Sequence, residues 1–236
     1  MPDLRILAVL TILGLFGLAV FYMIRSERKD AQVKRSIIDS LGFRPVEVTP
    51  ELTQRFVDFH ERIRDKWIRE KHREYEIRNV ARKLLPDYEV IIFDLIDHSG
   101  NDTSYLETQA VAVISPHLEL PAFSLFSKVN VEGVTASLGN KLIAWIVKNA
   151  GSPVPFPDYT EFEKRYLVNS NEPYETEEFL NETRLRRLAK TSMMSISASG
   201  DMFTVSEIGS SNWPSSIEAV SARFNLAAEI YSIFVS

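Results

Sequence analysis

The chain has 236 residues, of which 45% are hydrophobic, 25% are charged and none is cysteine, and its formal net charge is −5. This composition is typical of a folded globular protein and excludes a scaffold stapled by disulfides. The net acidic charge also argues against a general nucleic-acid-binding protein, which would present a basic surface.

The first predicted element is an apolar run from Ile6 to Ile24. Its nineteen residues carry no charge, and as a helix they extend for about 28 Å, which matches the hydrocarbon thickness of a bilayer. A cleaved secretory signal would have a basic start, a shorter apolar run and a small-residue exit, whereas this run begins after MPDLR and ends in FYMIRS. We therefore predict a single-pass transmembrane anchor over residues 1–24 that contacts lipid through residues 6–24.

The basic residues on the two sides of this run are unequal in number. One of them, Arg5, precedes the run. Five follow it within eleven positions: Arg25, Arg28, Lys29, Lys34 and Arg35. Because positively charged flanks stay in the cytoplasm, the N-terminus is predicted to lie outside and the remainder of the chain in the cytoplasm.

Two mainly helical regions are predicted after the anchor. Residues 25–48 are expected to be a basic linker with a short helix in DAQVKRSIIDSLGF, closed by Gly42. Residues 49–85 are predicted to form a charged helical segment that begins at Thr49 and Pro50 and ends before Pro86. Its apolar residues recur at helical spacing: Leu52, Phe56, Phe59, Ile63 and Trp67. The stripe weakens over residues 70–74, so one helix and two helices are both compatible with it.

The apolar period changes from about 3.6 to 2 after Pro86, which predicts strands. YEVIIFDLID and SYLETQAVAVIS are expected to pair as a hairpin around HSGND, followed by strands in AFSLFSKV and EFEKRYLV. A second hairpin is predicted in SMMSISASGDMFTVSEI, with its turn at residues 199–201. The segment NKLIAWIVKNAG fits either a helix or a strand.

Two helices are predicted within this second half of the chain. One opens at Thr176 in TEEFLNETRLRRLAK, and the other begins at Ser215, where Glu218 completes a capping box. The buried face of the last helix is expected to consist of five residues: Ile217, Val220, Phe224, Ala228 and Tyr231. Residues 86–236 are therefore predicted to form an α+β domain with a mainly antiparallel sheet, packed with residues 49–85 as one unit.

Charge is distributed unevenly between the two halves. Residues 25–85 carry 16 Lys or Arg against 11 Asp or Glu, and residues 86–236 carry 10 against 20. Because a cytoplasmic leaflet is anionic, the basic region next to the anchor is predicted to contact lipid headgroups.

Four stretches carry a resemblance to a known family: NVARKLLPDYEVIIFDLIDHSG, TQAVAVISPHLELPAFSLF, EFEKRYLV and SISASGDMFTVSEI. In this order, from about Asn79 to the C-terminus, they resemble a family of membrane-anchored bacterial proteins of unknown function that is common in cyanobacteria. The most specific piece is SPHLELPAFSLF, although Ser127 and Lys128 stand where the family often has a proline. The resemblance implies an anchored module of the bacterial inner (plasma) membrane and implies no activity, cofactor or site residue.

The histidines do not indicate a metal site. Residues 60, 72, 98 and 117 are the four histidines, and no two of them have the spacing of three or four that places ligands on one helix face. The segment GVTASLGNK differs from a phosphate-binding loop, because Gly133 to Gly139 is one residue too long and Asn140 precedes Lys141. We predict no metal site and no cofactor site.

Five polar residues gather near the tip of the first predicted hairpin: Asp94, Asp97, His98, Ser99 and Asp102. Strand alternation places Asp94 and His98 on one face and Asp97 on the other, and the remaining residue types are those that a turn requires. The sequence therefore predicts no catalytic residue.

These observations predict a membrane-anchored cytoplasmic module that binds or scaffolds a protein partner and has no catalytic activity. One alternative is a ligand-sensing domain, which would contain an enclosed apolar cavity. The other is a hydrolase centred on the Asp94 and His98 hairpin, which would need a distant nucleophile such as a serine.

Overall fold

The computed structural model describes residues 35–63, 75–97, 106–128, 151–192, 194–206 and 217–236. It divides into two compact units between Gly42 and Phe43, and the second unit extends to Ser236. In the first unit residues 35–40 are helical, and Gly42 has the left-handed φ of 75° that was predicted for the helix end. The predicted anchor at residues 6–24 lies outside the described residues, and none of the helices within them is long and apolar enough to cross a bilayer.

The second unit is built around one antiparallel sheet. Its described strands are β1 (Arg44–Pro45), β2 (Tyr75–Leu84), β3 (Glu89–Asp97), β4 (Leu106–Ile114), β5 (Leu120–Ser127), β6 (Ser152–Pro153), β7 (Tyr166–Ser170), β8 (Ser195–Gly200) and β9 (Met202–Ser206). Its described helices are α1 (Pro50–Ile63), α2 (Thr160–Glu163), α3 (Pro173–Phe179), α4 (Glu182–Leu188) and α5 (Ile217–Phe234). The strand order is β1-β2-β3-β4-β9-β8-β5-β7-β6. This arrangement confirms the predicted α+β class and antiparallel sheet.

Both predicted hairpins are confirmed. β3 and β4 pair along their full length, from Glu89 opposite Ile114 to Asp97 opposite Leu106. β8 and β9 are joined by a tight turn at which Gly200 has a φ of 62°. The strand predicted in AFSLFSKV is β5. The first hairpin's turn and the segment NKLIAWIVKNAG lie outside the described residues.

The prediction of a helix up to residue 85 is wrong for its last part, which is the strand β2. This strand pairs with β3 and contains a bulge between Arg78 and Ala81, where Asn79 has a positive φ of 52°. The bulge inserts a residue, so the buried side chains fall at Ile77, Val80 and Ala81 rather than at every second position. A spacing of three and four is the helical signature, and the irregular strand therefore imitated a helix.

Two other predicted elements are only partly right. The first half of EFEKRYLV is the short helix α2, because Phe162 and Glu163 donate backbone hydrogen bonds to the carbonyl of Tyr159. The helix expected from Thr176 is two helices, α3 and α4. They separate at Asn181, whose side chain caps α4 by accepting a hydrogen bond from Arg184 N at 3.1 Å. Thr176 is buried inside α3 and does not cap it.

The core forms on both faces of the sheet. On one face Phe56, Phe59 and Ile63 of α1 join a buried cluster with residues of β2, β3 and β4, and the rings of Phe56 and Phe93 are 4.3 Å apart. On the other face α5 packs against β4 and β9. Of the five residues predicted for the buried face of α5, Val220 and Tyr231 are buried, Phe224 and Ala228 are half-buried and Ile217 is 44% exposed; Ser215 lies outside the described residues.

The outermost described strands share an unusual form. β1 and β6 are two residues long, and each contains a proline, Pro45 or Pro153. Proline lacks a backbone N–H, so it cannot donate to a further strand.

Candidate functional site

Asp94, the residue around which the hydrolase alternative was built, lies inside the second unit. It is 1% exposed on β3, directly opposite Gln109 of β4. Its Oδ2 accepts a hydrogen bond of 2.6 Å from Asn79 Nδ2. The bulge of β2 places Asn79 at this point, and its positive φ suits Asn better than most residues. The buried carboxylate is thus bonded to a side chain of the neighbouring strand that is itself exposed.

Gln109 continues the polar contacts toward α5. Its Oε1 accepts a hydrogen bond of 2.7 Å from Arg223 Nη1, and Gln109 and Arg223 are each 3% exposed. Within the described residues the other amide atom, Nε2, has no partner. We call Asn79, Asp94, Gln109 and Arg223 the buried polar row, in which Asp94, Gln109 and Arg223 are buried and Asn79 is the exposed end. It crosses β2, β3 and β4 and ends on α5, which packs against β4.

Of the five residues that the sequence grouped at the hairpin tip, the structure describes two, Asp94 and Asp97. Asp94 belongs to the buried polar row, Asp97 ends β3, and His98, Ser99 and Asp102 lie outside the described residues. A group that is 1% exposed and bonded to Asn79 is poorly placed to reach a substrate in solvent. The row instead links β4 to α5 through the bond between Gln109 and Arg223, while Gln109 Nε2 has no partner within the described residues.

The described histidines have other surroundings. His60 stacks on Tyr75 with ring centroids 5.5 Å apart, and His117 lies exposed in the turn after Ser115. His72 and His98 are not among the described residues. In the part of the chain that the structure describes, no group of three or more His, Cys, Asp or Glu is placed to hold a metal ion.

Two arginines of α4 hold the C-terminal end of α5. Arg184 stacks over the ring of Phe179 at 4.2 Å and donates to the carbonyls of Phe179 at 2.7 Å and of Phe234 at 3.0 Å. Arg187 donates to Ser232 Oγ at 2.9 Å. Desolvation lowers the pKa of the Arg184 guanidinium, which nevertheless stays charged at neutral pH. These cations complement the carbonyls at a helix C-terminus, so their role is to fix α5.

A small cavity lies at the β6 and β7 edge. Its volume is about 100 Å³, and its walls include Pro153, Phe156, Phe162 and Tyr166. Burial raises the pKa of Tyr166, whose hydroxyl lies 3.2 Å from Thr191 Oγ1. Ligand pockets usually measure about 300 Å³ or more, so this cavity is too small for a drug-sized molecule.

The most exposed large hydrophobic side chain of the described residues is on α3. Tyr174 is 83% exposed, whereas Thr176 of the same helix is 0% exposed. Glu177 and Glu178 follow Tyr174 by three and four positions and are also exposed. Residues at this spacing share one side of a helix. We call Tyr174, Glu177 and Glu178 the α3 outer face.

Sequence reasoning missed most of these residues, although some signals were present. Arg223 lies three positions after Val220 on the stripe that α5 buries, and a charged residue on such a stripe indicates a buried partner. Asn79 and Gln109 gave no comparable signal, because the bulge and the strand register that place them depend on pairing between strands. Tyr174 was not noticed because its exposure depends on where α3 begins.

Comparison with known proteins identifies the fold and nothing finer. No protein-family model matches the chain, and no curated protein matches it in sequence. Among solved structures, the chain is similar to the crystal structure of the mycobacterial trehalose monomycolate transport factor A, TtfA, with a TM-score of 0.53 and 11% sequence identity. The match covers 87% of this chain and 94% of that chain. At this identity the likeness shows that the two proteins share an overall fold.

Proposed function

We propose that the chain is a single-pass protein of the bacterial inner membrane, whose folded cytoplasmic domain binds or scaffolds another protein without catalysing a reaction. The membrane part of this proposal rests on the apolar run of residues 6–24 and on the basic flank that follows it. The resemblance to a family of membrane-anchored bacterial proteins supports the same location.

The binding part rests on Tyr174. A tyrosine that is 83% exposed contributes little to the core, and its helix is fixed by contacts on the opposite side. Aromatic side chains presented on a rigid element are frequent anchors of protein interfaces. The polar groups that the sequence suggested for catalysis, by contrast, include Asp94, which the buried polar row encloses.

Contact with anionic headgroups is proposed for residues 25–35 and not for the whole basic region. Arg78 and Lys83 belong to β2: Arg78 Nε lies 2.6 Å from Glu76 Oε1, and Lys83 Nζ lies 4.9 Å from the ring centroid of Phe224. Basic side chains that are paired or packed on the sheet contribute less to attraction by a membrane.

The location is tested with reporter fusions after Ser236 in a bacterial host. A reporter that works only in the cytoplasm should be active, and a phosphatase that works only in the periplasm should be inactive, because the basic flank holds the C-terminal side inside. An active phosphatase fusion would contradict the proposed orientation.

The binding role is tested with the full chain extracted from native membranes in a mild detergent. The wild type should migrate on native gels as a complex larger than the chain alone, and Tyr174→Ala should reduce that complex at least about tenfold, as expected for loss of an anchor residue. Leu84→Ala is the matched control, since Leu84 is 70% exposed and lies on β2. If no complex forms, or if both variants reduce it equally, this role is wrong.

A further inference from the structure

We propose that the α3 outer face binds a basic segment of a partner protein, with Tyr174 packing on the segment and Glu177 and Glu178 pairing with its Lys or Arg side chains. This inference rests on the proposed binding function and names the chemistry of the partner. It depends on three features of α3: its rigid attachment, the exposure of its outer face and the availability of its charges.

The inner side of α3 is attached at both ends. Near its start, Ser170 Oγ lies 2.8 Å from Thr176 Oγ1, and Glu172 Oε2 accepts a hydrogen bond of 2.8 Å from Ala122 N. Near its end, the ring of Phe179 lies 5.3 Å from that of Phe234 and under the Arg184 guanidinium. The helix is therefore held in place before any partner arrives, which lowers the entropic cost of binding.

The outer face combines an aromatic ring with charges that no described cation neutralises. Glu177 and Glu178 make no ion pair with the described residues, whereas Glu182 at the start of α4 is paired with Arg186 at 2.8 Å. Two carboxylates beside an exposed tyrosine favour a cationic partner, and a tyrosine ring also attracts a guanidinium or ammonium group by a cation–π interaction.

The same charges argue against a lipid surface as the occupant. An anionic leaflet repels carboxylates, and burial of an exposed tyrosine against it would bring Glu177 and Glu178 toward the headgroups. A basic protein segment provides both the opposite charge and, along its aliphatic stems, apolar surface for the ring.

The test measures peptide binding to the full chain in nanodiscs of phosphatidylcholine, a lipid without net charge. The probes are three short fluorescent peptides of equal length that differ only in carrying Arg, Gln or Glu at alternate positions among Leu and Ser. The Arg peptide should bind the wild type, and its Kd should rise at least about tenfold for Glu177→Lys with Glu178→Lys, because two attractions become repulsions. Binding should also weaken as salt is raised.

Matched variants separate the α3 outer face from general electrostatics. Glu47→Lys with Glu61→Lys makes the same change of charge at exposed residues outside α3, and it should leave the Kd within about twofold. Tyr174→Ala should weaken binding and Tyr174→Phe should preserve it, because the ring is what packs on the segment. Circular dichroism of each variant must match the wild type for its result to count.

Several outcomes would overturn the inference. These are failure of the Arg peptide to bind the wild type, equal binding of the Glu peptide, and equal losses in the two charge-reversal variants. The inference would also be overturned, in favour of a lipid surface, if the chain bound discs with anionic lipid without any peptide and this binding required Tyr174. The native complex distinguishes this inference from the proposed function: a complex that is lost in Tyr174→Ala but kept in Glu177→Lys with Glu178→Lys supports the function and rejects the basic partner.

Discussion

Arginine side chains hold α5 at two places, in its first half and at its C-terminal end, in different surroundings. Arg223, in the first half of the helix, is 3% exposed and donates to Gln109 beneath the helix. Arg184 and Arg187 come from α4 and donate to groups of the last turn at the edge of the domain, where water also has access. Arginine is therefore part of a buried network at one position and binds the end of a helix at the other. Burial, rather than charge, should determine how much each arginine contributes to stability.

The largest effect is expected for Arg223→Ala. The change removes a large buried side chain and leaves Gln109 Oε1 buried without its donor, so the free energy of unfolding should fall by about 3 kcal/mol. Urea unfolding of the full chain in detergent micelles, followed by circular dichroism, measures the change. Asn225→Ala, at an exposed position of the same helix, is the control and should change it by less than about 0.5 kcal/mol. Similar losses in the two variants would contradict the argument from burial.

A smaller effect is expected for Arg184→Ala. Loss of the contacts to Phe179 and to the carbonyl of Phe234 should lower the free energy of unfolding by about 2 kcal/mol. It should also increase amide hydrogen exchange in the last turn of α5. Arg184→Lys should not restore protection, because one ammonium group cannot reach several carbonyls in fixed directions. Arg187→Ala serves as the comparison and should cost less than half as much, since its bonds are exposed. Unchanged exchange in Arg184→Ala would show that α5 is held by its apolar side alone.

The smallest effect is expected for Asp201→Asn, which breaks an ion pair at the surface. Arg55 Nη2 lies 2.7 Å from Asp201 Oδ2, and the two side chains are 41% and 56% exposed. An exposed pair of this kind should contribute less than about 0.5 kcal/mol, and added salt should remove even that. Gly200→Ala in the same turn should cost about 1 kcal/mol, because its φ of 62° strains a residue with a Cβ. A larger fall in the free energy of unfolding for Asp201→Asn than for Gly200→Ala would contradict this prediction.

Local sequence signals predicted the hairpins well. The strands β3 and β4 are rich in β-branched residues, and Gly200 supplies the turn between β8 and β9. The helix α5 was likewise evident from its apolar spacing. In each case the feature depends on a few neighbouring residues, so a short stretch of sequence contains the information.

The failures came where a distant contact decides the structure. β2 imitated a helix because its bulge at Asn79 is set by pairing with β3. The break between α3 and α4 follows from the burial of Leu180, which is 1% exposed, and from capping by Asn181. Within the candidate site, sequence reasoning singled out Asp94 but not Asn79 and Gln109, which belong to other strands and lie beside it only through the sheet register.

The two-residue edge strands have a consequence for the proposed membrane anchorage. Chains anchored in one bilayer diffuse in two dimensions, so their domains collide far more often than the same number of molecules in free solution. An open sheet edge under such crowding would be a template on which neighbouring domains could join strand to strand. At β1 and β6 the described edges of this sheet end in Pro45 and Pro153, which deny an incoming strand the donors it would need. If the chain is anchored as proposed, edge strands of this form would help neighbouring domains to remain separate molecules.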